Sequence, residues 1–375
     1  MRKSKFFLVL AVFVIASMLA TPLAMAQTPA PAAPSADCGP SNPYYPTKLF
    51  EIVNALKAAT ADKQAPPNSK IAFMINIFAP FWDAARRGTW DASKEMGVPV
   101  DFQGPTGTTA ERILQQNSMI ETFVNNKYSA IIFSADDPVA PTEMIQKAKD
   151  AGLPVILMDS DAPGTARDLY VGMDDFDAGK VAGQAALDIV KKGKVVAQFG
   201  DETSNNGQTR LAGFKEAIKG SPIELVEVMY DGGVPDKGLS NAQMAIQKYP
   251  DLAAFFGIWS YEGPAQGQAV KEAGMKDKIK VIAWDTEPQA QKLMSEGIIQ
   301  AMMAQRAYFY GYLSSWVAYA MTVLGKDATM KLLDPYLTDK GKEKKVLLNT
   351  GVDVVRSDTF AQYKKYLECI GIPSQ

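Results

Sequence analysis

From Lys70 onward the chain alternates short apolar runs with longer stretches in which apolar residues recur at helical spacing. Ile71 to Asn76, apolar through Ile75, and Ala130 to Phe133 and Pro154 to Met158 are continuous apolar runs, as expected of strands covered on both faces. Between them, Trp82 to Met96, Thr108 to Asn126 and Pro141 to Ala151 read as helices, with a further strand over Val98 to Phe102. Ile113, Ile120, Phe123 and Val124 mark one side of the second helix, and Gly152 stops the third. The pattern then repeats. Helices are predicted over Phe176 to Lys192, Asn206 to Lys219, Lys237 to Lys248, Pro264 to Ala273 and Pro288 to Glu296. Strands are predicted over Lys194 to Phe199, Ile223 to Tyr230, Ala253 to Ile258, Val281 to Trp284 and Ile298 to Ala304. Apolar strands separated by helices predict parallel α/β sheets. There are too many units for one comfortable sheet, so two similar doubly wound lobes are expected. Tyr308 to Leu324 carries aromatics and Ala at helical spacing and reads as a buried helix.

The first residues change the picture. Arg2, Lys3 and Lys5 precede an apolar run from Phe6 to Ala20, and Ala24-Met25-Ala26 closes it. Basic start, short apolar run and small-residue cleavage site describe a secretory signal peptide over 1–26, and periplasmic localisation is expected. Removing the leader takes the net charge from −2 to −5, so no nucleic-acid partner is expected from bulk charge. Residues 27–36 (QTPAPAAPSA) form a Pro/Ala linker, and Lys48 to Ala61 a short helix within an extension over 27–69. Cys38 and Cys369 are the two cysteines. In an oxidising compartment they are expected to pair, tying the N-terminal segment to the C-terminal helix. The chain has no His, which removes Ser-His-Asp and Cys-His nucleophiles and most zinc and haem sites. No cofactor and no metal are expected.

In open parallel sheets, ligands bind beyond the carboxyl ends of the strands. Phe78-Ala-Pro-Phe81-Trp82 follows the first strand there, Asp159-Ser160-Asp161 the fourth, Trp259-Ser260-Tyr261-Glu262 a second-lobe strand, Trp284-Asp285 the next and Gln305-Arg306 the last. Asp201 to Arg210 (DETSNNGQTR) adds amide and charged groups, Gln208 and Arg210 among them. Ring faces beside carboxylates and amides suit a small polyhydroxylated ligand, whose C–H face covers an aromatic ring while its hydroxyls meet acceptors. Each residue alone also has a bland role: Phe78 and Trp284 as core, Asp159 and Asp285 as caps or loop acids. There is no G-x-x-x-x-G-K-[ST] and no G-x-G-x-x-G after a strand. Lys340 to Lys345 (KGKEKK) reads as a solvated charge run.

Phe81-Trp82, Met158-Asp159, Gly172-Met-Asp174, Thr209-Arg210-Leu-Ala-Gly213-Phe214, Ala283-Trp-Asp285 and Ala304-Gln305 together resemble the periplasmic sugar-binding proteins of ABC transporters, ribose-binding type. The resemblance runs from about Lys70 to about Gly325. It implies the type I periplasmic binding protein fold, two α/β lobes joined by a three-segment hinge with Asp174 and Arg306 in it. Lobe 1 would comprise 70–173 plus about 306–335, and lobe 2 174–305 plus about 336–375. By that resemblance Phe81 and Trp82 would stack on a sugar, with Trp259 opposite them, and Asp159, Asp285 and Gln305 would bind hydroxyls. Gln208 and Arg210 are carried as further ligand-binding candidates. Ala79, Ser160 and Gln208 depart from the ribose pattern, where Asn, Arg and Arg often stand. Fewer fixed cations leave a hexose, another pentose, a deoxy-sugar or a cyclitol open.

The expected function is therefore a monomeric, non-enzymatic solute-binding protein. It captures a monosaccharide or polyol by hinge closure and delivers it to an ABC transporter permease. A binding protein for an aromatic or nucleobase-like compound, or a sensor-feeding receptor, is the alternative. A carboxylate-based glycosidase and a repressor sharing this core are further rivals; the leader and the lack of a DNA-binding start speak against the repressor.

Overall fold

The computed structural model describes residues 38–202 and 204–373. The leader expected over 1–26 and the linker over 27–36 lie outside the described residues. In the first lobe, parallel strands β1 (Ile71–Met74), β2 (Val100–Gln103), β3 (Ala130–Phe133), β4 (Val155–Met158) and β5 (Leu169–Gly172) are joined by α2 (Trp82–Met96), α3 (Thr109–Asn125) and α4 (Thr142–Asp150). Strands β1, β3, β4 and β5 are buried at every position. Helix α3 starts at a capping box in which Thr108 and Glu111 satisfy each other's backbone amides.

The chain then crosses to the second lobe through Met173 and Asp174. There α5 (Asp175–Ile189), β6 (Gly193–Phe199), α6 (Asn205–Ile218), β7 (Ile223–Tyr230), α7 (Pro235–Lys248), β8 (Leu252–Gly257), α8 (Glu262–Glu272), β9 (Lys280–Trp284), α9 (Pro288–Ser295) and β10 (Ala301–Gln305) follow in turn. At Arg306 the chain returns to the first lobe as α10 (Ala307–Leu324) and α11 (Lys326–Leu333). Helix α10 is buried from Ala307 through Met321 and packs under the first sheet with α2 and with α1 (Thr47–Thr60). Among the described residues no helix is long and apolar enough to cross a membrane.

The C-terminal part departs from the sequence reading. Strands β11 (Leu337–Lys340) and β12 (Glu343–Asn349) form a hairpin, and β12 pairs parallel with β5. Residues 337–349 therefore extend the first sheet, whereas 336–375 was expected to lie with the second lobe. The KGKEKK run is the turn and flanks of that hairpin. Only beyond Asn349 does the chain cross a third time, into β13 (Val352–Arg356), which lies antiparallel to β10 at the edge of the second sheet, and α12 (Phe360–Cys369). The sheets run β11-β12-β5-β4-β3-β1-β2 and β13-β10-β9-β8-β6-β7.

The N-terminal extension adds a bridge. Cys38 is disulfide-bonded to Cys369. Asn42 Nδ2 donates to the Gln362 carbonyl (3.0 Å) and the Tyr44 hydroxyl to Thr359 Oγ1 (2.5 Å), while the Tyr44 ring meets Tyr363 edge-on. Tyr44 thus belongs to the core of the second lobe. Tyr45 already stacks on Phe50 of α1, and Phe50 meets Phe309 of α10, so the next residues belong to the first. From the other terminus, Ile370 and Ile372 touch the cores of both lobes. Three crossings are supplemented by a disulfide-tied pair of termini that spans both lobes.

Candidate functional site

Asp159 and Asp285 occupy matching places. Each follows the last residue of a central strand, β4 or β9, and each has a left-handed backbone, φ 58° and 60°. Among side-chain-bearing residues Asp and Asn enter this region most readily. Each amide donates to the neighbouring strand, Asp159 to the Val171 carbonyl (3.3 Å) and Asp285 to the Met303 carbonyl (2.9 Å). The two lobes thus use one device to set a carboxylate at the strand end.

Both carboxylates are positioned by side chains. Ser134 Oγ donates to Asp159 Oδ2 (2.9 Å), and the Tyr170 hydroxyl donates to the Asp159 carbonyl (2.6 Å). Gln305 Nε2 donates to Asp285 Oδ1 (2.9 Å), and its Oε1 accepts from the Tyr310 hydroxyl (3.0 Å). Burial pushes Asp159 up to about 6, opposed by Arg210 and by the Ser134 hydroxyl. Burial pushes Asp285 up to about 8; Arg210 and Gln305 oppose it, while Glu287 and Asp159 add to it. The influence of one aspartate on the other, and of Arg210 on both, places the two lobes' acids in one electrostatic neighbourhood.

Arg210 is the most deeply buried cation of this neighbourhood, and Lys340, over the Tyr170 ring, also acts on Asp159 and Asp175. The Arg210 Nε donates to Asp175 Oδ1 (3.0 Å), its Nη1 to the Ile258 carbonyl (3.3 Å), and its guanidinium lies 4.4 Å from the centre of the Trp284 ring. Close packing of α5 on α6 fixes it there. A Cβ added to Gly179 would lie 2.0 Å from the Arg210 carbonyl, and one on Gly213 2.0 Å from the Phe176 carbonyl, so only glycine allows this approach.

The aromatic candidates separate. Phe81 is half-buried at the start of α2, edge-on to Trp82 and tilted against Tyr310. Trp82 is only 2% exposed and lies in the first lobe's core with Ala85 and Ala92 of the same helix. Trp284 is also core, while Phe78 is exposed. Trp259 is half-buried; its Nε1 donates to Asn206 Oδ1 (3.2 Å), and its ring lies over Gly200 and tilts against Phe199. Gln208 Nε2 donates to the Glu202 carbonyl (2.7 Å), which holds it within its own loop, and to the Tyr230 hydroxyl.

The hinge candidates are engaged as crossing residues. The Asp174 carboxylate caps α5 by accepting from the Asp177 amide (3.0 Å). Arg306 forks onto Asp353 (2.9 and 2.7 Å) and donates to the Thr350 carbonyl (2.9 Å), tying the second crossing to the third. Sequence reasoning missed Ser134, Tyr170, Asp175 and Tyr310. Asp175 had a signal, an acid at a helix start next to a crossing residue; Tyr310 had none, one of four tyrosines in a buried helix.

Raised carboxyl groups give a pH prediction with a definite sign. Between about pH 4 and pH 8 the folded chain binds more protons at Asp285 than the unfolded chain, so this group lowers stability progressively as pH rises through that window. Asp285→Asn is therefore expected to raise the ligand-free melting temperature at pH 8, with the gain vanishing near pH 4. A gain of equal size at both pH values in thermal unfolding would contradict it.

Known proteins place this architecture. The chain is 27% identical over 275 residues to the ABC transporter periplasmic-binding protein YphF of Escherichia coli K12, covering 69% of this chain and 83% of that protein. It is 26% identical over 237 residues to the D-allose-binding periplasmic protein of the same organism, covering 60% and 75%. The crystal structure of a sugar ABC transporter sugar-binding protein from Bacillus halodurans superposes with a TM-score of 0.68 at 25% identity, covering 79% of this chain and 99% of that one. Residues 71–327 match the family described as the periplasmic binding protein domain, and the chain belongs to that family.

Proposed function

We propose that this protein is an exported, monomeric solute-binding protein that closes its two lobes on a monosaccharide or related polyol and delivers it, chemically unchanged, to an ABC transporter permease. The observation that carries the reading is the matched pair of strand-end carboxylates, one per lobe, each fixed by a neutral hydroxyl or amide donor. In their ionised form such acids accept from pairs of hydroxyls through charge-assisted bonds, and a ligand that donates to them offsets the cost of burying that charge. Because the two acids come from different lobes, a ligand meets both when the cleft is shut, and this differential affinity drives closure. The half-buried rings of Phe81 and Trp259 supply apolar faces, with Trp82 backing Phe81 from the core. The names of the relatives, allose- and sugar-binding, support the same ligand class. The disulfide and the leader expected over 1–26 support a place outside the cytoplasm.

A thermal-shift panel of sugars, polyols, nucleosides and aromatic acids tests the class: stabilisation by sugars or polyols is expected, and stabilisation by nucleosides or aromatic acids alone would overturn it. For the best ligand, Phe81→Ala and Asp285→Ala are each expected to weaken binding more than tenfold, a loss of about 1.4 kcal/mol or more. Both variants should keep a native circular dichroism spectrum. Unchanged affinity by calorimetry would remove that residue from the site.

A further inference from the structure

A cavity of about 190 Å³ lies against the candidate site and shares Phe81, Asp285 and Gln305 with it. That volume holds about six waters at roughly 30 Å³ each, or one small ring. Its other walls come from outside the strand-end site: Pro80 of the first lobe, Tyr308 at the start of α10, and Tyr366, Leu367 and Ile372 of the C-terminal segment. We infer that the sugar cleft opens sideways into this compartment, which takes an uncharged substituent on the bound sugar, such as an alkyl or aryl aglycone or a second sugar ring. The inference rests on the sugar-binding reading above and extends its ligand class to glycosides.

The chemistry of the walls selects the substituent. Arg306 is the cation among them, and both arms of its fork are held by Asp353. Asp83 and Glu287 are acids in the same walls. A phosphate or carboxylate would meet Asp83, Asp285 and Glu287 and an arginine already paired to a fourth acid, Asp353, so an anionic substituent is disfavoured. The Thr286 and Tyr363 hydroxyls bond each other (2.8 Å), and Gln305 is bonded to Asp285. With these polar groups paired among themselves, the surface left to a ligand is largely aromatic and aliphatic, which suits a neutral ring face. The outer wall is fixed in place. Leu367, Ile370 and Ile372 flank Cys369, which is tied to Cys38, and Gly371 sits against the Arg87 guanidinium of α2, where an added Cβ would lie 2.8 Å from it. Both lobes contribute walls, so a substituent held there adds contacts in the closed state.

Isothermal titration calorimetry on the oxidised protein decides this. The probes are D-allose, D-ribose, D-arabinose, D-xylose and D-galactose, each with its α- and β-methyl and phenyl glycosides. For at least one sugar that binds, a glycoside of one anomer is expected to bind within threefold of its parent or more tightly. Ala84→Phe, which fills the compartment from α2, is expected to weaken that glycoside at least tenfold and leave the parent sugar unchanged. If parents bind and every glycoside is weaker by more than threefold, the cleft is closed around a lone monosaccharide; the inference falls and the sugar-binding reading stands. If Ala84→Phe folds and leaves the glycoside's affinity intact, the substituent sits elsewhere and the inference also falls. If neither parents nor glycosides bind, the inference falls, and the sugar-binding reading is decided by the wider sugar and polyol panel above. Should Ala84→Phe not fold, the parent–glycoside comparison on the unaltered protein decides alone.

Discussion

Arg210→Met is expected to destabilise the protein by about 3–5 kcal/mol, the range for removing one partner of a buried ion pair. Arg210 is 2% exposed and Asp175 6%. Their bond of 3.0 Å is supplemented by a second donation to the Ile258 carbonyl and by the Trp284 ring face. Removing the guanidinium leaves Asp175 buried without its cation and takes the opposing positive charge from Asp159 and Asp285. Met preserves much of the volume, so the loss reports charge rather than a cavity. The double variant Arg210→Met with Asp175→Asn removes both charges and should recover a large part of the stability, because the isolated buried charge, more than the absent bond, carries the cost. Arg210→Lys should fall between, keeping the charge but losing the fork and the planar stacking. Urea unfolding at pH 7 measures all three. A loss below about 1 kcal/mol in the single variant, or a double variant no better than the single, would show that this pair does not anchor the foot of the first crossing.

The central strands were legible because they are covered on both faces, so their apolar runs stand out without any partner being known. The same runs end abruptly in acids, which made Asp159 and Asp285 visible as strand-end residues. Their left-handed backbones and matching amide bonds became evident only in three dimensions. Strand β5 escaped because its apolar run is only Leu169 to Val171 and follows irregular chain. Strands β11 to β13 escaped because they lie at or near sheet edges, where half-exposed Lys, Asp and Glu break the apolar signal. With them went the correct lobe for residues 337–349. Trp82 shows why neighbouring aromatics need not share a role. Successive helical residues are turned by about 100°, so Trp82 falls on the buried face with Ala85, Thr89 and Ala92, and Phe81 is left at the helix start beside the cavity. Gln208 illustrates the opposite limit: an amide at a helix start reads as a ligand donor, but the bonds its nitrogen makes to Glu202 and Tyr230 could not be seen in the sequence.

Breaking the Cys38–Cys369 bridge is expected to lower stability by about 2–5 kcal/mol, the cost of losing a native disulfide. The bridge joins residues 331 apart in sequence, so in the unfolded chain it closes a loop nearly as long as the described protein, which is where the chain-entropy account gives its largest effects. The local consequence is more specific. Asn42 and Tyr44 hold the N-terminal segment to the second lobe through hydrogen bonds to the Gln362 and Val354 carbonyls and to Thr359 and through the ring contact with Tyr363, each of which contributes about 1 kcal/mol. Ordering the chain around them costs about 1–2 kcal/mol per residue, so the covalent bridge tips the balance toward the docked segment. In Cys38→Ser with Cys369→Ser, hydrogen exchange should therefore accelerate at the Asn42, Tyr44 and Tyr45 amides. The amides inside α1 stay protected, because that helix is held independently by α10 and by the Lys57–Glu95 pair. The segment that bridges the lobes would then be tethered at its α1 end alone. Unchanged protection at Tyr44 and Tyr45 in the double serine variant would mean that packing by itself spans the lobes. A simultaneous loss of protection through α1 would mean that the first lobe depends on the bridge as well, and that the extension is part of its core.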